Sequence, residues 1–193
     1  MKVPKILILA GSTRHGSTNR LLALEAESAL QRAGLDANFA DLREYALPLY
    51  DADLEADLGI PKAAQDLKDL ANQADALVFA SPEYNGSYPA VLKNAIDWIS
   101  RPAPGEAPLA AFRDKPAAIL SASPGQGGGK RVLKQLRELL EMIRMHVIPE
   151  QVSIAQSNAA FDGAGRLNRP ADIESLNQLA ASLAHAVQPK VQV

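Results

Sequence analysis

The stretch Lys5-Ile6-Leu7-Ile8-Leu9-Ala10-Gly11-Ser12-Thr13-Arg14-His15-Gly16-Ser17-Thr18-Asn19-Arg20 decides the fold. Ile6 to Ala10 is an unbroken apolar run, the pattern of a strand covered on both faces. A turn-rich loop follows. Leu22, Ala26, Ala29, Leu30 and Ala33 then recur on one helical face, and Gly34 stands where a left-handed residue ends a helix. The unit is strand, loop, helix, and it repeats. Ala76 to Ala80 precedes Val91, Leu92, Ala95, Ile96 and Ile99, stopped by Pro102; Ala117 to Ala122 precedes Val132, Leu136, Leu139, Leu140 and Ile143.

Asp36 to Leu42 supplies a second strand, and Gln151 to Ala155, after Pro149, a last one. Pro61 to Ala74 and Pro170 to Val187 supply the remaining helices. Alternating strands and helices with apolar strands predict a parallel five-stranded sheet with helices on both faces, a three-layer α/β sandwich. At 193 residues the chain reads as one domain over 1–193. Asp41 to Asp57 holds six acids against one arginine, and its Leu-Pro-Leu-Tyr centre reads as an irregular surface connection without chemistry.

Composition removes several function classes. Hydrophobic residues at 47% and charged ones at 22% exclude disorder. The net charge of −2 lacks the basic excess of a nucleic-acid binder. Without cysteine there are no disulfides, thiolate nucleophiles or Cys-held metal clusters, so redox chemistry would need a bound cofactor. His15, His146 and His185 fall in separate segments with no ligand spacing, which disfavours a metal. No GxSxG elbow occurs, which leaves serine hydrolysis unsupported. No run approaches about 18 apolar residues, and the one after Lys5 is shorter than a signal-peptide core, so the expected place is the cytoplasm, away from membranes.

In open parallel sheets ligands bind beyond the carboxyl ends of the strands. The loop after the first strand joins hydroxyls, an amide, Arg14 and two glycines to a helix start, and no acid occurs from Gly11 to Leu24. Helix starts expose free N–H groups that ordinary helices often neutralise with Asp or Glu, so the missing counter-charge points to an external phosphate. Ser17 replaces the lysine of a nucleoside-triphosphate loop, and Thr13 replaces the second glycine of GxGxxG, which leaves a terminal monoester phosphate as the best fit. The competing reading makes Ser17 or Thr18 a helix cap and Arg14 a solvated charge.

After the third strand, Ser81-Pro82-Glu83-Tyr84-Asn85-Gly86-Ser87-Tyr88-Pro89 offers two tyrosines that can flank a planar ligand and an Asn-Gly pair that tolerates positive φ. An ordinary turn with Pro89 opening a helix is the other reading. Ser121-Ala122-Ser123-Pro124-Gly125-Gln126-Gly127-Gly128-Gly129-Lys130 has four glycines in five positions, so backbone can approach a flat ring, unless the loop is a mobile linker. Lys130, Arg131, Lys134, Arg137 and Arg144 outweigh Glu138 and Glu141 on the following helix, either as a solvated face or as an attraction for a phosphate. Trp98 reads as a packed helix face or a subunit contact.

The run PEYNGSYPAVLKNAIDWISR from Pro82 to Arg101, with GSTRHGSTNR upstream, closely resembles the NADPH-dependent FMN reductase family, a flavodoxin-like group that includes quinone and chromate reductases. That resemblance implies strand order 2-1-3-4-5, FMN as cofactor and NADPH or NADH as hydride donor. It implies FMN phosphate held by Ser12, Arg14, Ser17, Thr18 and Asn19, with Pro82, Glu83, Tyr84, Asn85 and Gly86 lining the ribityl chain and ring. Ser123, Gly125 and Gly127 would face the isoalloxazine. It further implies a homodimer or homotetramer.

A micromolar complex needs about 8 kcal/mol net, more than a phosphate loop alone supplies once immobilisation is counted, so all three loops are needed. The expected activity passes hydride from nicotinamide through bound flavin to a quinone, free flavin, azo compound or metal oxyanion by a ping-pong mechanism. No catalytic side chain is required, since the flavin carries the electrons. The rival is a flavodoxin-type one-electron carrier; such carriers are strongly acidic, which −2 disfavours. A receiver-type signalling domain would need acids where Gly11 and Ser81-Pro82 stand.

Overall fold

The computed structural model describes residues 2–188, so Met1 and 189–193, which the expected 1–193 unit includes, lie outside the described residues. Strands β1 (Lys5–Ala10), β2 (Asp36–Ala40), β3 (Ala76–Ala80), β4 (Pro116–Ala122) and β5 (His146–Ile154) form one parallel sheet in the order β2-β1-β3-β4-β5, as expected. The helices are α1 (Thr18–Arg32), α2 (Ala52–Leu58), α3 (Lys62–Gln73), α4 (Ala90–Ile99), α5 (Lys130–Met142) and α6 (Pro170–Ala186).

The period-2 geometry of a strand sorts the apolar runs onto two faces. Ile6, Ile8, Val78, Leu120 and Val152 meet Leu22, Ala26 and Leu30 of α1 and Leu179 and Leu183 of α6. Leu7, Leu9, Leu77, Phe79 and Ile119 meet Leu67 of α3, Leu92 and Ile96 of α4, and Leu133 and Leu136 of α5. Both faces are covered, which is why the inner strands β1, β3 and β4 carry almost no polar positions. Helix α1 is capped by Ala33, and Gly34 follows at φ +86°, as its position predicts.

The acidic connection after β2 departs from expectation. Asp41 and Leu42 are buried, Leu42–Glu44 makes a 3-10 turn, and Ala52–Leu58 is helical, capped by the Asp51 side chain on the N–H groups of Asp53 and Leu54. The segment is strapped along α4. Pro48 O accepts from Trp98 Nε1 and Asn94 Nδ2, both at 2.8 Å, the Tyr50 ring meets the fully buried Trp98 edge to face at 5.1 Å, and Arg101 pairs with Glu55 at 2.9 Å. Trp98 is therefore a packing residue inside the chain. The connection from α4 to β4 is likewise pinned from below: the buried Lys68 ammonium donates to Arg101 O and to the Glu106 carboxylate.

Strand β5 also differs, starting at His146 and running through Pro149 instead of beginning after it. Its register against β4 slips between Ala117↔Val147 and Ile119↔Gln151, leaving the segment around Pro149 out of the ladder. Proline has no N–H to contribute, so it fits only at such an irregularity or an edge, and β5 supplies both. The carbonyls freed there are taken by Arg137, which donates to Val147 O at 3.0 Å and Ile148 O at 2.8 Å. Arg137 is thus a structural cation, and Arg144, at φ +68°, lies past the end of α5; neither belongs to the basic helix face that the sequence suggested.

Candidate functional site

The loops after β1, β3 and β4 meet at one rim of the sheet and wall two adjoining clefts. The first, of about 340 Å³, is lined by Ser12, Arg14, Ser17, Thr18 and Asn19 from the first loop, Pro82, Glu83 and Tyr84 from the second, Ala122, Ser123 and Pro124 from the third, and Asn158. The second, of about 320 Å³, shares Glu83 and Ser123 and adds Gly125, Gly127, Gly129, Lys130 and Arg131. A separate hollow of about 220 Å³, bordered by Lys5, Asp36, Asn38, Leu70 and Gln73, lies at the opposite end of the strands, far from these loops.

Helix α1 starts at the floor of the first cleft. Ser17 is its cap: its backbone is extended, its Oγ accepts from Arg20 N at 3.4 Å, and its carbonyl accepts from Leu21 N at 3.1 Å. The N–H groups of Ser12, Thr13, Thr18 and Asn19 have no acceptor among the described residues. Capping and an open amide cradle therefore coexist, because a cap serves one donor and a helix start has several. Arg14 is exposed and has no carboxylate partner among the described residues, whereas Arg20 and Arg43 both bond Asp41 at the end of β2. Burial opposes ionisation of Asp41, but hydrogen bonds from Arg43 and Arg20 outweigh it and hold that carboxyl down at about 2. Asp41 is thereby engaged away from the cradle, and Glu83, the acid that does line the clefts, is turned toward α5.

Two of the expected phosphate residues have side chains engaged elsewhere. Asn19 Nδ2 donates to Ala122 O at 2.7 Å while its Oδ1 accepts from Ala122 N at 2.9 Å, and Thr18 Oγ1 donates to Ser157 Oγ at 3.2 Å. Their side chains tie α1 to the ends of β4 and β5; their main-chain N–H groups have no acceptor among the described residues. Ser12 Oγ accepts from Arg14 N at 3.4 Å, shaping the loop.

The second loop forms a tight hairpin. Tyr84 and Ser87 exchange both backbone hydrogen bonds, and Asn85 and Gly86 take φ +51° and +80°, the two-residue turn that Asn-Gly favours. Asn85 and Gly86 sit at its tip and line neither cleft; Gly86 O accepts from Gln135 of α5. Tyr84 is half exposed at the cleft, but Tyr88 packs against the core under α4, so the two rings do not flank a common slot. Pro89 precedes the first residue of α4 rather than opening it. Glu83 reaches across to α5, its Oε2 accepting from Val132 N at 3.4 Å and its Oε1 lying 3.8 Å from Arg131.

The third loop passes over Ser121 with no room for a side chain. A Cβ on Gly129, at φ +83°, would stand 1.8 Å from Ser121 Oγ, and one on Gly128 would stand 2.5 Å from Ser153 Oγ. The loop is fixed rather than loose: Ser123 N donates to Ile154 O, Ser157 N to Ser123 O, and Gln156 N to Gly125 O. Those bonds bring Asn158 to the first cleft, a residue the sequence reading missed. It follows β5, and the rule that ligands meet strand carboxyl ends applies to that strand as well.

This geometry fits a mononucleotide: free main-chain donors and an unpaired arginine for the phosphate, and proline, tyrosine and glycine walls beyond them for a flat ring. Sheet order and rim together define a flavodoxin-like flavoprotein. The chain belongs to the NADPH-dependent FMN reductase family, whose family model matches residues 4–159. It is 43% identical over 164 residues to an NAD(P)H-dependent FMN reductase of Pseudomonas aeruginosa, covering 84% of each chain. It is 36% identical over 184 residues to an NADPH:quinone oxidoreductase of Arabidopsis thaliana, covering 93% of this chain and 89% of that one. Its fold matches a flavoenzyme NAD(P)H:acceptor oxidoreductase of Paracoccus denitrificans at a TM-score of 0.81 and 28% identity, over 96% of this chain and 97% of that one.

Proposed function

We propose that the chain is an FMN-dependent NAD(P)H oxidoreductase that reduces small acceptors, with quinones as the leading class and free flavin, azo compounds and metal oxyanions as further candidates. The observation that carries this reading is the cradle of unpaired N–H groups at Ser12, Thr13, Thr18 and Asn19 beside Arg14, joined to two clefts that only a ligand longer than a phosphate would fill.

When bound, FMN supplies the two-electron chemistry, taking hydride from a reduced nicotinamide and returning it to the acceptor. The chain's residues bind and orient. The main-chain donors of Ser12, Thr13, Thr18 and Asn19 and the Arg14 guanidinium would hold the phosphate, and Ser17 fixes where those donors point. Pro82, Glu83 and Tyr84, with Ser123, Gly125 and Gly127, border the space for the ribityl chain and ring; Asn85 and Gly86 set the hairpin that aims Tyr84. Asn158 adds a polar group at the first cleft. No side chain is assigned to catalysis. Dinucleotide and acceptor take turns in one slot, which is a ping-pong sequence. The chain works as one unit over 1–193, in the cytoplasm, as a homodimer or homotetramer. Among the described residues no helix is long and apolar enough to cross a membrane, and no cluster of metal-ligating side chains occurs.

Purified protein titrated with FMN should quench flavin fluorescence stoichiometrically, and the loaded protein should oxidise NAD(P)H with a quinone, giving parallel double-reciprocal plots. Flavin binding without direct NAD(P)H oxidation would instead favour the electron-carrier reading.

A further inference from the structure

The second cleft has a basic rim that flavin phosphate binding leaves unexplained. Lys130, Arg131 and Lys134 are all exposed at the first turns of α5, and neither lysine has a carboxylate partner among the described residues. Helix α5 has no acid in its first turn and no cap from its own Gly129. Its N–H groups are mostly engaged: Lys130 N donates to Gly127 O, Val132 N to Glu83, and Leu133 N to Gly129 O. An anion at this outer rim, beyond the space bordered by Ser123, Gly125 and Gly127, would therefore be met by side chains, not by a backbone cradle. Ser121, wholly buried and without a hydrogen-bond partner, packs behind Gly129, which lines this cleft, so the loop that carries the basic rim is held close against β4.

Resting on the reading above, we propose that Arg131 and Lys130 form the subsite for the 2′-phosphate of NADPH and thereby set preference for NADPH over NADH. The two dinucleotides differ by one phosphomonoester, which carries nearly two negative charges at neutral pH. An arginine fork beside lysines at a solvent-facing rim suits that group, whereas a pyrophosphate common to both dinucleotides is usually held by free N–H groups, which this helix start lacks. Glu83 sharpens the choice. Its carboxylate stands 3.8 Å from Arg131, so removing Arg131 leaves that negative charge with only Val132 N as partner and penalises NADPH, which carries the extra phosphate, more than NADH.

Steady-state kinetics on FMN-saturated wild type, Arg131→Ala and Lys130→Ala/Arg131→Ala should show KM for NADPH rising about tenfold or more while that for NADH moves less than twofold and kcat holds. Arg131→Lys should recover part of the loss. Calorimetry gives a readout that needs no turnover: wild type should bind adenosine 2′,5′-bisphosphate about tenfold more tightly than adenosine 5′-monophosphate, and Arg131→Ala should abolish the difference. An equal rise in both KM values, no rise in either, or no preference for the bisphosphate in wild type would overturn the proposal. Failure of the underlying function looks different: the wild type would hold no FMN and oxidise neither dinucleotide, and the calorimetric comparison would still decide the subsite.

Discussion

The side-chain amide of Asn19 and the main chain of Ala122 hold each other through two hydrogen bonds, of 2.7 and 2.9 Å, across 103 residues of sequence. This pair locks the first turn of α1 to the last residue of β4, so the cradle of open N–H groups and the glycine loop share one reference point. Asn19→Ala leaves a buried N–H and a buried carbonyl at Ala122 without partners, a loss of about 2–4 kcal/mol in chemical denaturation. FMN affinity, measured by fluorescence quenching, should fall about tenfold as the two loops lose register.

Arg14 is exposed and unpaired, so its removal should leave stability unchanged. Arg14→Ala should weaken FMN by roughly 1.5–3 kcal/mol, or about ten- to a hundredfold, while riboflavin, which lacks the phosphate, binds equally to both proteins. Equal weakening of both flavins would move Arg14 from the phosphate to the ring.

Gly129→Ala forces a methyl group onto Ser121 Oγ at a positive φ. The expected cost is about 2–4 kcal/mol. Ser121→Gly made in the same chain should recover a measurable part of that loss by removing the obstructing atoms, whereas additive effects would mean that backbone strain alone is responsible.

The Asp41 carboxyl, held at about 2 in the folded chain against 3.8 when free, contributes stability that is complete above about pH 4 and lost as pH falls through 2. Replacing it by asparagine should cost about 2 kcal/mol at pH 7, and the gap between Asp41→Asn and wild type should shrink by about 1 kcal/mol at pH 3. Urea melts at the two pH values measure both quantities.

Arg137→Ala should destabilise by about 1–3 kcal/mol, because the carbonyls of Val147 and Ile148 lose their donor. Kinetics with either nicotinamide should be unaffected, which separates this cation from Arg131.

The strands and helices were legible because each apolar run is buried on both faces, and only a double-covered sheet tolerates runs such as Ile6 to Ala10. The first loop was legible for an electrostatic reason: a helix start without acids is a conspicuous omission. Four other features depended on partners distant in sequence. The side chains of Thr18 and Asn19 read as phosphate ligands because nothing local shows that Ser157 and Ala122 engage them. Asp41 to Asp57 read as an irregular surface connection because its order comes from Trp98, Asn94 and Arg101 on another element. Pro149 read as a boundary because a register slip, and the arginine that compensates it, leave no periodic trace. Asn158 escaped because its place depends on backbone bonds between two loops.

The outermost strands of the sheet carry their own protection against pairing with a foreign chain. At one border β5 breaks its ladder around a proline, and at the other β2 turns Asp36 and Asn38 outward. Neither border offers the long flat apolar template from which fibrils and swapped dimers grow.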